Sequence, residues 1–243
     1  MHDKIDLIIR IQGAASENGQ ASGFDWITGA DALMVDPANC DPQAAPANLF
    51  DRFVLLAGDP ERDRYWNDYG SCQWVCDQGL TKAAELRDDW PDLDWIPRLD
   101  VYRPEMSYRF SGPAVGEGFS FYIPDTSIIK GWEVTDERRN LTDALRLACE
   151  LGFTRLWLHS LDAEDKGRGL DLEMLEKAAR EIPDIWVSGG LTETRHLSNL
   201  AKWGGATGVI TDQAYAETVS VERMRSAIRS DPCNQVAPEL HFG

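Results

Sequence analysis

Ser188-Gly189-Gly190 ends a short apolar run and precedes a helical stripe. In that order the turn offers bare backbone N–H groups near a helix start, a place where an anion such as phosphate is held. Glycines also serve simply to turn a chain. Two neighbouring apolar runs end in polar residues as well: Ser160-Leu161-Asp162 and Thr211-Asp212-Gln213. Arg98, Arg103 and Arg109 follow one another with Tyr102 and Tyr108. Guanidinium groups of this kind grip an anion bidentately, or else balance nearby acids. Cys72 and Cys76 lie four apart, the spacing of one helix face. No second ligand pair follows at zinc-site spacing, so they read as small packed residues and no metal is expected. His159 alternates with Ser160, which points it outward into a helix layer as a packed side chain. His196 falls in a helical stretch and reads as solvent-facing.

These residues need elements to position them. From Leu141 to Glu217 the pattern runs helix, strand, helix, strand, helix, strand. Apolar residues at 141, 144, 145, 147, 148 and 151 make a helical stripe, stopped by Gly152. Thr154 to His159 reads as a buried parallel strand. Leu172 to Ile182 is helical, Ile185 to Val187 extended, and Thr192 offers an N-cap to a helix through Trp203. Gly208 to Thr211 is the last strand. Repeated units of this kind demand a parallel sheet with helical crossovers. Upstream, Asp6–Ile11, Gly29–Asp36 and Arg52–Ala57 read as three strands and Gly79–Asp89 as a helix. Trp95–Val101 reads as strand four and Phe119–Asp125 as strand five. The sum is one (βα)8 barrel domain over residues 1–243, with strands six to eight at about 154–160, 184–188 and 207–211. In such a barrel the site sits at the C-terminal strand ends, and phosphate often sits after the last two strands.

The stretches HSLDAEDKGRGLD, IWVSGGLTETRHL and GVITDQAYAE resemble the second half of the histidine-biosynthesis barrels. That family holds ProFAR isomerase and the cyclase subunit of imidazole glycerol phosphate synthase. The likeness extends to FYIPDTSIIKGWEVTD, with Asp125 and Gly131-Trp132 at matching positions. The resemblance implies aldose–ketose isomerisation of a phosphorylated aminosugar, without metal or organic cofactor. Asp125 would act as acid or base, with Asp162 and Asp36 orienting the sugar. Asp36 alternatively caps the Pro-rich loop behind it. Gly189-Gly190 would hold a phosphate, with Ser160, Ser188, Thr211, Arg98 and Arg103 as further contacts. The chain departs from the family at three places. Gln12 stands where the first strand ends in a catalytic Asp, and glutamine cannot exchange a proton as a carboxylate does. Asp59 lies beside Gly58 in the expected phosphate loop, and Asp212 stands at a glycine position. A carboxylate against a phosphate costs affinity. Two alternatives therefore stay open. One is a related barrel enzyme of another cofactor pathway, such as tetrahydromethanopterin-linked one-carbon metabolism. The other is a non-catalytic binding or assembly subunit.

Composition bounds the rest. The 243 residues suffice for one barrel, and 43% are hydrophobic. With 41 acidic against 24 basic side chains the net charge is −17, so nucleic acid is not an expected partner. No apolar run reaches membrane-spanning length, so no membrane partner is expected. No signal peptide is evident, and a cytoplasmic location is expected. Five cysteines, an odd number, argue against a disulfide framework. The expected partner is a small phosphorylated molecule. The oligomeric state is not legible.

Overall fold

The structure is a computed structural model that describes residues 4–11, 27–40, 52–56, 58–104, 108–110, 122–124, 131–135 and 139–229. Eight parallel strands close into a barrel with helices between them. In chain order they are Asp6–Arg10, Ala32–Val35, Arg52–Leu56, Ser71–Cys76, Asp94–Tyr102, Arg155–Ser160, Asp184–Ser188 and Gly208–Asp212. The first pairs with the eighth, from Asp6 opposite Gly208 to Arg10 opposite Asp212. The fifth pairs with the sixth, His159 lying opposite Asp100. The expected (βα)8 barrel is therefore present, with strands six to eight where the alternation put them.

Strand alternation sorts the side chains into two cores. Inside the barrel lie Ile8, Ala32, Met34, Val54, Leu56, Val75, Ile96, Trp157, Trp186 and Ile210. Their neighbours, such as Leu7, Ile9, Leu33, Val35, Leu99, Leu158 and Val187, face the helices. Two indoles fill much of the axis, and one glycine makes room for them. A Cβ on Gly208 would lie 2.7 Å from Cδ1 of Trp186. Gly208→Ala is expected to cost about 1–3 kcal/mol, the usual range for overpacking, read as a lower urea midpoint at unchanged slope.

Several sequence expectations change. Ser71–Cys76 is the fourth barrel strand, so Cys72 and Cys76 share no helix face. Four residues along a strand separate them by about 13 Å, too far to share one ion. Burial pushes the Cys72 thiol up to about 12 and raises Cys76 as well, so both stay protonated. Asp94–Tyr102 is consequently strand five, not four. The fifth strand is thus not the expected Phe119–Asp125, of which only residues 122–124 are described. Tyr122–Pro124 pairs antiparallel with Tyr108–Phe110 in a separate two-stranded sheet. The helix at 194–203 is capped by Glu193, reciprocally with His196, rather than by Thr192. His196 is buried, not solvent-facing; its Nδ1 accepts from the backbone N–H groups of Thr192 and Glu193. Among the described residues no helix is long and apolar enough to cross a membrane.

The N-terminal end of the barrel carries a cavity of about 400 Å³. Its charges satisfy one another in sequence. Asp6 accepts from Arg52, Arg52 donates to Gln73, and Gln73 donates to Asp94. Arg155 bridges Asp94 and Asp184, and Thr207 donates to Asp184. Arg52 and Arg155 both stack on the Trp186 ring, 5.5 and 5.6 Å from its centroid. Lys4 lies 3.5 Å from Asp6, so three cations face three carboxylates, and a ring of this kind at the bottom of a barrel holds the fold together.

Candidate active site at the barrel mouth

At the C-terminal strand ends a cavity of about 180 Å³ is lined by Arg10, Trp157, His159, Glu164, Ser188, Gly189 and Asp212, among others. The alternation that puts Ile8, Trp157 and Trp186 inside also turns Arg10, His159 and Ser188 inward, one step nearer the mouth. His159 thus faces the barrel axis, not the helix layer. The helix layer receives Leu158 instead.

A hydrogen-bonded chain runs through the imidazole. Trp157 Nε1 donates to Ser188 Oγ over 2.7 Å. Ser188 Oγ lies 2.9 Å from His159 Nδ1, and His159 Nε2 lies 2.9 Å from Glu164 Oε2. A carboxylate needs a donor, so Nε2 carries the proton and Nδ1 accepts the Ser188 hydroxyl. This tautomer satisfies every member. Burial, then the charge of Arg98, lowers the His159 pKa; Glu164 and Asp100 oppose the shift without reversing it. The ring is therefore neutral at pH 7. Glu164 rides the short helix Leu161–Lys166 with its side chain 58% exposed. Its second oxygen accepts from none of the described residues.

The sign of the His159 shift fixes a pH dependence. Unfolded histidine takes a proton at about pH 6.5, before the folded ring does, so stability is full above that pH and falls below it. Arg98, Asp100, Glu164, Ser188 and Trp157 all face this ring. His159→Gln is expected to lose less melting temperature than wild type between about pH 7.5 and 5.5. Thermal melts at the two pH values check this. His196, lowered in the same sense by its burial, leaves a residual slope in the variant.

Two arginines share the mouth. Arg98 stacks on Trp157 at 4.6 Å and holds Asp100 with both nitrogens, at 2.6 and 3.1 Å. The Arg10 guanidinium makes no hydrogen bond or ion pair among the described residues. Its proton affinity is lowered by burial and then by Arg98, yet a guanidinium stays charged at neutral pH.

The residues singled out in the sequence divide as follows. Ser188, Gly189 and Gly190 line the cavity, and Arg98 stands beside it. Both glycines have positive φ, +94° and +84°, and the next helix starts only after Glu193. Ser160 is turned away; its hydroxyl accepts from Ala163 N–H as the N-cap of residues 161–166. Thr211 is buried on the helix-facing side, in step with Val209. Asp212 lines the cavity while capping Tyr215 N–H. Asp36 takes the capping role, accepting from Ala38 N–H and Asn39 Nδ2. Asp162 lies on the helix 161–166, accepts from Arg103 N–H and faces Lys166 at 3.7 Å. Arg103 pairs with Glu173 and stacks on Trp132 at 4.3 Å, on the outer rim. Gln12, Asp125 and the Arg109 side chain lie outside the described residues. With strand five at 94–102, the acid it carries toward the mouth is Asp100.

No family model matches the chain. Imidazole glycerol phosphate synthase subunit HisF of Nocardia farcinica is 29% identical to it over 55% of this chain and 56% of that protein. The match thus spans about half the length of either. This local likeness and the closed eight-stranded parallel barrel fit a diverged member of the histidine-biosynthesis barrel family.

Proposed function

We propose that the barrel is an enzyme that moves a proton along the carbon chain of a small phosphorylated sugar, an aldose–ketose isomerisation. One observation carries this: a His159–Glu164 pair and the Ser188-Gly189-Gly190 turn line the same cavity at the C-terminal strand ends. Isomerisation requires a base that removes a proton and returns it one carbon away, and a grip that holds the ligand still. Glu164 offers an oxygen toward the cavity and is oriented through His159. The backbone N–H groups of Gly189, Gly190 and Leu191 offer the grip for a phosphate. At about 180 Å³ the cavity suits a small polar ligand or the reacting end of a larger one, since drug-sized pockets begin near roughly 300 Å³.

The test has two parts. Titration with inorganic phosphate is expected to move the amide NMR signals of Gly189, Gly190 and Leu191. A panel of aldose and aminoaldose phosphates in D₂O is then followed for deuterium entering the carbon next to the carbonyl or imine. Exchange above the uncatalysed rate for at least one compound supports the isomerase. Silent amides with no exchange would leave the non-catalytic subunit as the better account.

A further inference from the structure

The charge at the reacting centre selects between two kinds of sugar. Arg10 reaches the cavity from the end of the first strand, beside Trp157, His159, Ser188 and Ile210. A desolvated cation with no partner is costly unless a bound ligand supplies one. Among the described residues the nearby acids do not supply it. Asp36 is engaged by Ala38 and Asn39, Asp100 by Arg98, Asp212 by Tyr215 N–H, and Glu164 by His159. Glu164, Asp212 and Asp36 act on Arg10 only through space, and the charge of Arg98 opposes them. Among the described residues the unspent donors at this centre therefore belong to a guanidinium.

We infer that Arg10 is the electrophile of this site, binding the carbonyl oxygen of an α-hydroxy aldehyde or ketone phosphate and holding the enediolate that forms from it. This rests on the proposed isomerase reading and narrows its substrate to an oxygen sugar rather than an aminosugar. The electron count closes without any co-reactant. Glu164 removes the proton from C2, the C–H pair becomes the C1–C2 double bond, and the carbonyl π pair moves onto the oxygen beside Arg10. The C2 hydroxyl proton passes to the C1 oxygen, the C2–O pair forms the new carbonyl, and the double-bond pair takes the same proton back from Glu164 at C1, which gives the ketose. Negative charge appears where the free donors point, the arrangement that stabilises a transition state. An aminosugar takes the other path. Its open-chain imine must be protonated on nitrogen before C2–H becomes acidic, which places a cation against Arg10 and Arg98. Like charges that close repel.

Calorimetry with four probes tests this: inorganic phosphate, D-arabinitol 5-phosphate, 5-phospho-D-arabinonohydroxamate as the anionic enediolate mimic, and 1-amino-1-deoxy-D-ribitol 5-phosphate as a cationic one. Wild type is expected to bind the hydroxamate about a hundredfold tighter than the arabinitol phosphate, as intermediate mimics do, and the amine most weakly of the three sugars. Arg10→Gln is expected to erase the hydroxamate preference and strengthen the amine. Inorganic phosphate should still shift the Gly189 and Gly190 amides in that variant. Arg10→Lys keeps the charge and should keep part of the preference, which guards against a folding artefact in the glutamine variant. Equal binding of hydroxamate and arabinitol phosphate by wild type overturns the inference while leaving the isomerase standing. Loss of the amide shifts in Arg10→Gln also overturns it, because Arg10 would then be the phosphate contact. Failure of all four probes to bind wild type overturns both readings.

Discussion

Gly189→Ala is expected to lower the melting temperature by about 6–20 °C, from a loss of roughly 3–5 kcal/mol at roughly 2–4 °C per kcal/mol for a chain of this size. Two costs combine. Gly189 sits at φ +94°, where a side chain is strained by about 1–3 kcal/mol. Its new Cβ would also run into the carbonyl oxygen of Ser160, which is backbone and cannot rotate away. Relief by movement costs a similar amount in a close-packed site. Gly190 repeats the situation at φ +84°: a Cβ there meets the carbonyl of Ala163 at 2.6 Å and that of Gly169 closer still. Both obstacles belong to the segment that carries Glu164. Gly169 N–H also donates to Gly190 C=O at 2.9 Å. The Ser188 turn and the Glu164 helix are thus braced against each other. Gly204→Ala is the control, since its φ is +77° but nothing lies within 4 Å. It should show the strain without the collision, and a smaller fall. Equal falls at the two positions would sink the packing half of the account.

That bracing was only half visible in the sequence. From Leu141 onward the pattern alternates apolar stripes with short apolar runs, and the structure follows it almost strand for strand. Ser188-Gly189-Gly190 was legible because two glycines after a strand have few other uses. The facing of His159 was not legible. In Arg155–Ser160 every residue from Leu156 onward is buried, on both faces, so no polar alternation shows which side is the axis. Tertiary closure decides it, through the pairing of the fifth and sixth strands. Arg10 is legible as a charge that closes the apolar run Leu7–Ile9, spaced two from Ile8.

The position of the strand-five acid failed for a different reason. Ser71–Cys76 contains Gln73 and two cysteines, and a period-two reading of it is weak. Missing it shifted the strand count by one. Asp94–Tyr102 was then counted as the fourth strand, and the acid expected on the fifth moved to Asp125. Pro97 added to the difficulty, because proline is unexpected within a central strand. It is accommodated here opposite Cys76 in the parallel ladder. The resemblance fixed the kind of fold, and backbone pairing had to fix which residue stands where.

The same redistribution separates two carboxylates two residues apart, Asp162 and Glu164. Asp162 would orient the sugar by resemblance. In the structure its Oδ2 accepts from Arg103 N–H, tying the fifth strand's exit to the helix 161–166, and Lys166 lies beside Oδ1. Glu164 instead lines the cavity with one oxygen on His159 and the other unspent. On the substrate that the exchange panel identifies, Glu164→Gln is therefore expected to lower kcat by about 10²–10⁴-fold, the usual worth of a positioned acid–base group. KM should change little, because the swap keeps the shape and removes only the titratable oxygen. His159→Gln acts through Glu164, so it should lower kcat less and displace the acidic limb of the pH–rate profile, which a purely packed histidine would leave in place. Asp162→Asn should behave as the loss of one exposed charge-assisted hydrogen bond. Its cost is about 1 kcal/mol of stability, with kcat close to wild type. If Asp162→Asn and not Glu164→Gln abolished turnover, the hydrogen bond to Arg103 N–H would have to open in the working enzyme, and the base would be Asp162 after all.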